Sequence, residues 1–280
     1  MLRLGRLELD CPAVMGVLNV TPDSFSDGGH FLAVDAALRE AETMAAEGAA
    51  LVDVGGESTR PGARAVSEQE ELDRVMPVIE AVVARVGLPV SIDTGKPAVM
   101  RAAAAAGAAM INDVFALSED GALAAAAELQ LPVCLMHMQG KPRTMQSKPQ
   151  YDDVVAEVTQ FLGARVAECV QAGLSEDLVV VDPGFGFGKT VFHNIELLAN
   201  LRQLRAIGRP LLIGISRKAT LGVITGRDVH DRLPASIAAA VLAVQQGADI
   251  VRVHDVGPTV DAMKVAKAVI EANNNSAGQE

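Results

Sequence analysis

The 280-residue sequence predicts an α/β protein, a single (β/α)8 barrel of the TIM type with a short N-terminal β-hairpin. Three observations point there. Eight short apolar runs of strand length alternate with eight stretches of helical period. The runs are too continuously apolar to leave a face in water, so they need a parallel sheet covered by its own crossover helices. Their number matches a sheet closed on itself rather than an open one. With 50% of residues hydrophobic, 21% charged and 3% aromatic, the core must be built from Ala, Val, Leu and Ile in quantity. A mean hydropathy of +0.26 excludes disorder and fibrous repeats.

The elements follow in order. Leu2, Leu4, Leu7 and Leu9 alternate around Gly5-Arg6, a hairpin that can plug the barrel bottom. Strands are expected at 13–20, 50–55, 89–94, 110–114, 132–138, 178–182, 210–216 and 250–255. Helices are expected at 34–48, 68–86, 97–106, 120–129, 153–172, 194–207, 233–247 and 258–272. Gly48, Gly107 and Gly247 sit where helices return to strand and suit the left-handed residue that ends a helix. Asp120 and Asp153 read as helix N-caps. Residues 1–272 form one expected domain, and 273–280 a polar, frayed tail.

A net charge of −11 gives no field for holding a polyanion, so nucleic-acid binding and docking on anionic membranes are not expected. The charge-free stretch 233–248 is too short to span a bilayer and carries Pro, Ser and Gln. Residues 1–12 alternate charge with Leu and contain no apolar core of a signal peptide. Cys11, Cys134 and Cys169 are far apart and odd in number, which fits reduced cysteines in a cytoplasmic protein and no cysteine zinc site.

Polar residues gather at the C-terminal ends of the apolar runs: Asn19; Glu57 to Arg60; Asp93; Asn112 and Asp113; His137; Asp182; Ser216 to Lys218; Arg252, His254 and Asp255. A parallel barrel brings these ends to one face, the face that carries active sites in this architecture. His137 reads as a hydrogen-bonded supporting histidine rather than a catalyst, and Met136 and Phe187 as pocket walls. The run Gly184 to Thr190 ends in Gly-Lys-Thr, but a P-loop needs Gly at 183, where Pro stands, so its glycines instead permit close approach of a flat ligand. The loops 21–29 and 55–62 follow the first two strands and are expected to gate the site.

Eight ordered motifs resemble the dihydropteroate synthases of the bacterial folate pathway: GVLNVTPDSFSDGG from Gly16, DVGGESTRPG from Asp53, IDTGKP from Ile92, INDV from Ile111, LMHMQG from Leu135, DPGFGFGK from Asp182, GISRK from Gly214 and RVHD from Arg252. The resemblance covers nearly the whole chain. It departs mildly at Gly95, where Ser is commoner in the family. It implies joining of 6-hydroxymethyl-7,8-dihydropterin diphosphate to 4-aminobenzoate, with Mg²⁺ assisting and diphosphate released. It assigns pterin recognition to Asp182, Asn112, Asp93, Lys218 and Arg252, with Met136, Gly186 and Phe187 around the ring. The diphosphate falls to Thr59, Arg252, Val253 and His254, the aminobenzoate slot to Phe25, Thr59, Arg60, Pro61, Phe187, Ser216 and Lys218, and the metal to Asn19. Asp93, Lys218, Arg252 and Asp27 are the implied catalytic residues. Two alternatives stay open: a pterin-binding paralogue without turnover, and a methyltetrahydrofolate methyltransferase. The family's dimeric habit, with the nearly all-apolar segment 235–244, implies a homodimer through that helix.

Overall fold

The computed structural model describes residues 1–20, 29–59, 63–142 and 144–277, with the backbone alone at 29–33 and 274–277. A hairpin of β1 (Leu2–Leu4) and β2 (Leu7–Leu9) precedes eight parallel strands. These are β3 (Ala13–Asn19), β4 (Leu51–Gly55), β5 (Val90–Asp93), β6 (Met110–Asp113), β7 (Val133–Met136), β8 (Val179–Asp182), β9 (Leu212–Gly214) and β10 (Ile250–Val253). The strands lie side by side in the order β8-β7-β6-β5-β4-β3-β10-β9, and a bridge between Val181 and Leu211 closes the ring. This is the barrel that the sequence predicts.

The helices are α1 (Gly29–Ala46), α2 (Glu68–Arg85), α3 (Pro97–Ala105), α4 (Ala122–Leu129), α5 (Val154–Gln171), α6 (Val191–Ala199), α7 (Ala219–Thr225), α8 (Leu233–Gln245) and α9 (Val256–Ala277). Asp153 caps α5 as expected, accepting from the amides of Val155 and Ala156. Asp120 does not cap α4, which instead starts after the left-handed Gly121. The expected helix at 194–207 is split, because α6 ends at Ala199 and the chain continues as a tighter 3₁₀ coil over Leu201–Ile207. The last helix runs on to Ala277, into the segment expected to be a tail. Gly48, Gly107 and Gly247 have φ of 94°, 100° and 100°, the left-handed conformation their positions demand.

Strand alternation divides the core in two. Val14, Leu18, Val52, Val54, Ile92 and Ile111 point outward into the layer between sheet and helices. Met15, Leu51, Met110, Cys134, Val180, Leu212 and Ile250 point inward, and Leu4, Leu7 and Leu9 of the hairpin pack beneath them. The hairpin is therefore the floor of the barrel. Two residues farther along four of these strands the inward side turns polar: Asp53 follows Leu51, Asn112 follows Met110, Asp182 follows Val180, and Arg252 follows Ile250. The apolar layer supports a polar layer directly above it.

Candidate active site at the C-terminal end of the barrel

That polar layer opens into a cleft lined by Thr59, Asp93, Asn112, Met136, Asp182, Phe187, Lys218 and Arg252, together with Val114, Gly184, Phe185 and Gly214. Eight residues implied by the motifs thus meet in one place. Gly186 sits at its edge, where an added Cβ would lie 3.2 Å from Cδ of Lys218. Ser216 and His254 adjoin each other: the His254 amide donates to Ser216 Oγ at 3.2 Å, and His254 Nδ1 lies 3.1 Å from the same oxygen. The Val253 side chain packs toward the helices, which leaves only its backbone for the cleft. Asn19 ends β3 in register with Gly55. Phe25, Asp27, Arg60 and Pro61 lie outside the described residues. A larger hollow of about 960 Å³ lies at the opposite end, against Gly5, Arg6 and Leu7 of the hairpin, far from this convergence of charge.

The electrostatic centre is Arg252. Its Nε donates to Asp53 Oδ2 at 2.6 Å and its Nη2 to Asp93 Oδ2 at 2.9 Å, while Asn112 Nδ2 donates to Asp53 Oδ2 at 2.9 Å. Asp53 is fully buried, and its second oxygen has no hydrogen-bond partner among the described residues. Burial pushes Asp93 up to about 7; Arg252 pulls it back and Asp53 adds to the rise. Burial likewise raises Asp182 to about 6 against the Gly184 amide and the nearby Lys218, and lowers Lys218 to about 8 against the pull of Asp182. His254 is held down to about 4, first by burial and then by Arg252 and Arg217, so it is neutral at pH 7. A buried carboxylate rim therefore faces two cations, an arrangement that accepts N–H donors from a flat heterocycle on one side and meets an anion on the other.

Local backbone aims the loop residues. Arg217 adopts φ 58°, with its amide on Ser236 Oγ at 2.9 Å, and its guanidinium forks outward onto Asp255 at 3.0 and 2.5 Å. This turns the next residue inward, and Lys218 Nζ rests 4.2 Å from the centroid of the Phe187 ring. Phe187 in turn rides on a glycine loop whose polar groups are pinned by side chains. The Gly184 amide donates to Asp182 Oδ1 at 2.7 Å, the Gly186 amide to Asn194 Oδ1 at 2.7 Å, and Tyr151 Oη donates to the Gly188 carbonyl at 2.9 Å. At the base of the second loop, partly buried Lys96 bridges Glu57 and the buried Glu71.

The glycines are needed for space as well as dihedral. At Gly184, φ is 68° and an added Cβ would sit 1.8 Å from the His137 carbonyl oxygen. Gly184→Ala should destabilise the fold by about 2–4 kcal/mol in urea unfolding, because loop and strand must part. Gly87, with φ 72° and nothing within 4 Å, is the control. Its Ala variant should lose only about 1 kcal/mol, the cost of the dihedral alone. Equal losses would show that the contact with His137 is not the constraint.

Asp53, Lys189 and Asn194 belong to this site by position, although they carry no role in the sequence reading. A charged residue inside the continuous apolar run 50–55 was the available signal for Asp53. As for metal, no group of three His, Cys, Asp or Glu among the described residues is placed to hold one, and Asn19 supplies a single neutral oxygen.

A family model described as pterin binding enzyme matches residues 15–254. The Escherichia coli (strain K12) dihydropteroate synthase is 53% identical over 269 residues, spanning 96% of this chain and 95% of the relative. The Yersinia pestis dihydropteroate synthase, solved with a sulfonamide drug complex, superposes with a TM-score of 0.92 at 51% identity, covering 96% of this chain and 99% of that one. The Xanthomonas albilineans dihydropteroate synthase has been solved with 4-aminobenzoic acid, with a TM-score of 0.88 at 55% identity covering 93% of each chain. Its structure with 7,8-dihydropteroate gives 0.86 at 52% identity, covering 95% and 96%. By the family model over residues 15–254 and identities above 50% across nearly the whole chain, the chain belongs to the pterin-binding enzyme family, among the dihydropteroate synthases.

Proposed function

We propose that the cleft condenses 6-hydroxymethyl-7,8-dihydropterin diphosphate with 4-aminobenzoate, giving 7,8-dihydropteroate and diphosphate. The observation that carries this reading is the buried polar layer itself, with Asp182, Asn112 and Asp93 on one side and Lys218 and Arg252 on the other. A pterin presents ring N–H and exocyclic NH₂ donors in a row that a carboxylate accepts two at a time, which suits Asp182. Asn112 and Asp93 complete that edge, and Lys218 donates to the carbonyl side. These side chains line a cleft with a cavity of about 30 Å³. Arg252 can stack on the ring and meet the diphosphate with Thr59, the Val253 backbone and the neutral ring of His254. Met136, Gly186 and Phe187 line the ring, and Phe25, Thr59, Arg60, Pro61, Phe187, Ser216 and Lys218 form the aminobenzoate slot.

No residue acts as nucleophile. The methylene C–O bond breaks with its electron pair leaving on diphosphate, whose charge Arg252 and Lys218 stabilise, while Asp93 stabilises the cationic methylene and Asp27 supports the reaction from the first loop. The aniline nitrogen then forms the new C–N bond and releases its proton to solvent. Asn19 would offer Mg²⁺ one neutral side-chain oxygen, the ion keeping water and diphosphate oxygens as its other ligands. The ion would supply further charge neutralisation to the leaving group.

Aminobenzoate should bind only after diphosphate and pterin have organised its slot. Equilibrium binding of labelled aminobenzoate should therefore be undetectable with protein alone and appear with a pterin, pyrophosphate and Mg²⁺ present. Equal, tight binding in both conditions would refute this order.

The functional unit in this reading is a cytoplasmic homodimer. Free cysteines at 11, 134 and 169 support the compartment. Val223 and Ile224 of α7, Leu242 of α8, and Val265 and Val269 of α9 are exposed apolar residues on successive helices, which supports the interface. Leu242→Glu should shift the protein from dimer to monomer in sedimentation at micromolar concentration. A wild-type monomer would reject the dimer.

A further inference from the structure

Lys189 is almost fully buried at the end of the glycine loop, where ammonium groups are rare without a task. Its Nζ lies 2.9 Å from His137 Nδ1, 2.9 Å from the Gly184 carbonyl, 3.0 Å from the Phe187 carbonyl and 3.4 Å from the His137 carbonyl. Four acceptors surround a group with three protons and no lone pair in its charged form, a cage of the kind that would hold an alkali cation. Two of those acceptors belong to residues that shape the cleft. Gly184 offers its carbonyl to Lys189 and its amide to Asp182, so one peptide residue links the cation to the carboxylate. Phe187, tied by its own carbonyl, is the ring against which Lys218 rests.

We propose that Lys189 is a positioning residue of the pterin site, a buried cation that fixes the Gly184 to Phe187 turn and sustains the negative charge on Asp182. The inference rests on the pterin-binding reading above and adds a residue to it. A salt bridge to Asp182 would serve worse, because a lysine in direct contact would occupy the oxygens that a ligand must reach. Placing the cation behind the Gly184 peptide leaves the carboxylate face open while supplying the field. The bond to His137 Nδ1 also fixes that ring as acceptor there, with its proton on Nε2.

The charged and titratable groups around the pair are few. His137 at the end of β7, Asp182 at the end of β8 and Lys218 after β9 face Lys189, and Tyr151 packs on His137. Lys189, Lys218, Arg252 of β10 and the thiol of Cys134 face Asp182. Burial depresses Lys189 to about 7 while Asp182 pulls it back up, and burial raises Asp182 to about 6. The Lys189 charge acts on the carboxylate in the opposite sense to burial and lowers its value. Removing it should raise the Asp182 value further and move loss of pterin binding to higher pH.

Calorimetry of 6-hydroxymethylpterin between pH 5 and 8, on folded Lys189→Met, tests this. The acid-side midpoint should move alkaline by about one pH unit, so that affinity falls about threefold at pH 6.5, close to tenfold at pH 5, and little at pH 8. Asn194→Ala, which frees the Gly186 amide without changing charge, should weaken binding by one factor at every pH and leave the midpoint in place. An unmoved midpoint in Lys189→Met, or an equal move in Asn194→Ala, would overturn the proposal. If Lys189→Met does not fold, the wild-type protein decides by NMR. The ¹⁵Nζ signal of Lys189 should step at the pH where the ¹³C carboxylate of Asp182 titrates, and absence of that step overturns the coupling. Because that titration needs no ligand, failure of the pterin to bind counts against the functional reading alone.

Discussion

Arg252→Met is expected to destabilise the protein by about 3–5 kcal/mol, because it strips the cation from a carboxylate that is entirely out of water. Asp53 is fully buried and takes its hydrogen bonds from Arg252 and Asn112 alone among the described residues. Without the guanidinium it keeps one amide and a charge, and Asp93 loses the partner that holds its own value down. The fall should appear in urea unfolding at pH 7. Turnover should fall at least 10²–10³-fold, the usual loss when a preorganised donor to a developing anion is removed. The two losses separate in the double variant Arg252→Met/Asp53→Asn. Neutralising Asp53 should restore most of the stability and none of the activity. A single variant as stable as wild type would mean that the Arg252 pair is not what holds the layer together.

Asp182→Asn should behave in the opposite way, losing pterin while keeping or gaining stability. The carboxylate accepts the Gly184 amide through Oδ1, which an Asn carbonyl can also do. What Asn cannot do is accept a second ligand donor, since its NH₂ would face one, and an unmet pair costs at least 1.4 kcal/mol, or about tenfold in affinity. On stability the sign differs from that of a salt-bridged carboxylate. The folded value, about 6, lies above the ordinary 3.8. The native state therefore binds more protons than the unfolded one between those values, and its stability falls as pH rises through that window. Asn removes this dependence, so at pH 7 the ligand-free variant should melt no lower than wild type. Calorimetry with the pterin diphosphate and thermal melts at pH 5 and 7 check both halves. Unchanged affinity would remove Asp182 from the recognition edge.

Much of this site is legible in the sequence because a parallel strand inside a barrel is apolar on both faces until its end. Where the run stops, the side chain has reached the open face, and Asp93, Asn112, Asp182 and Lys218 can be read off that rule. Asp53 escapes it, since it lies two residues before the end of β4, inside the run, and only the inward side of the strand distinguishes it from Val52 and Val54. Lys189 escapes for another reason. In a Gly-Lys-Thr string its natural reading is a phosphate ligand, and when that reading fails nothing local says that its ammonium turns back into the loop it ends. Asn194 is similar, because its partners Gly186 and Thr220 come from the glycine loop and from α7, and its role exists only after folding.

Helix boundaries were less legible than strands. Asp120 has the chemistry of a cap, yet the chain passes through left-handed Gly121 before α4 begins. Leu201 and Leu204 continue the apolar pattern of α6, but a 3₁₀ coil buries them equally well, so periodicity alone does not separate the two.

The most direct test of the central claim is turnover. The protein is mixed with 6-hydroxymethyl-7,8-dihydropterin diphosphate, Mg²⁺ and 4-aminobenzoate, and both 7,8-dihydropteroate and diphosphate are quantified. The two products should form in equal amounts, with pteroate formation strictly dependent on aminobenzoate. Tight pterin binding with no pteroate under those conditions would contradict that claim and leave a binding protein in its place.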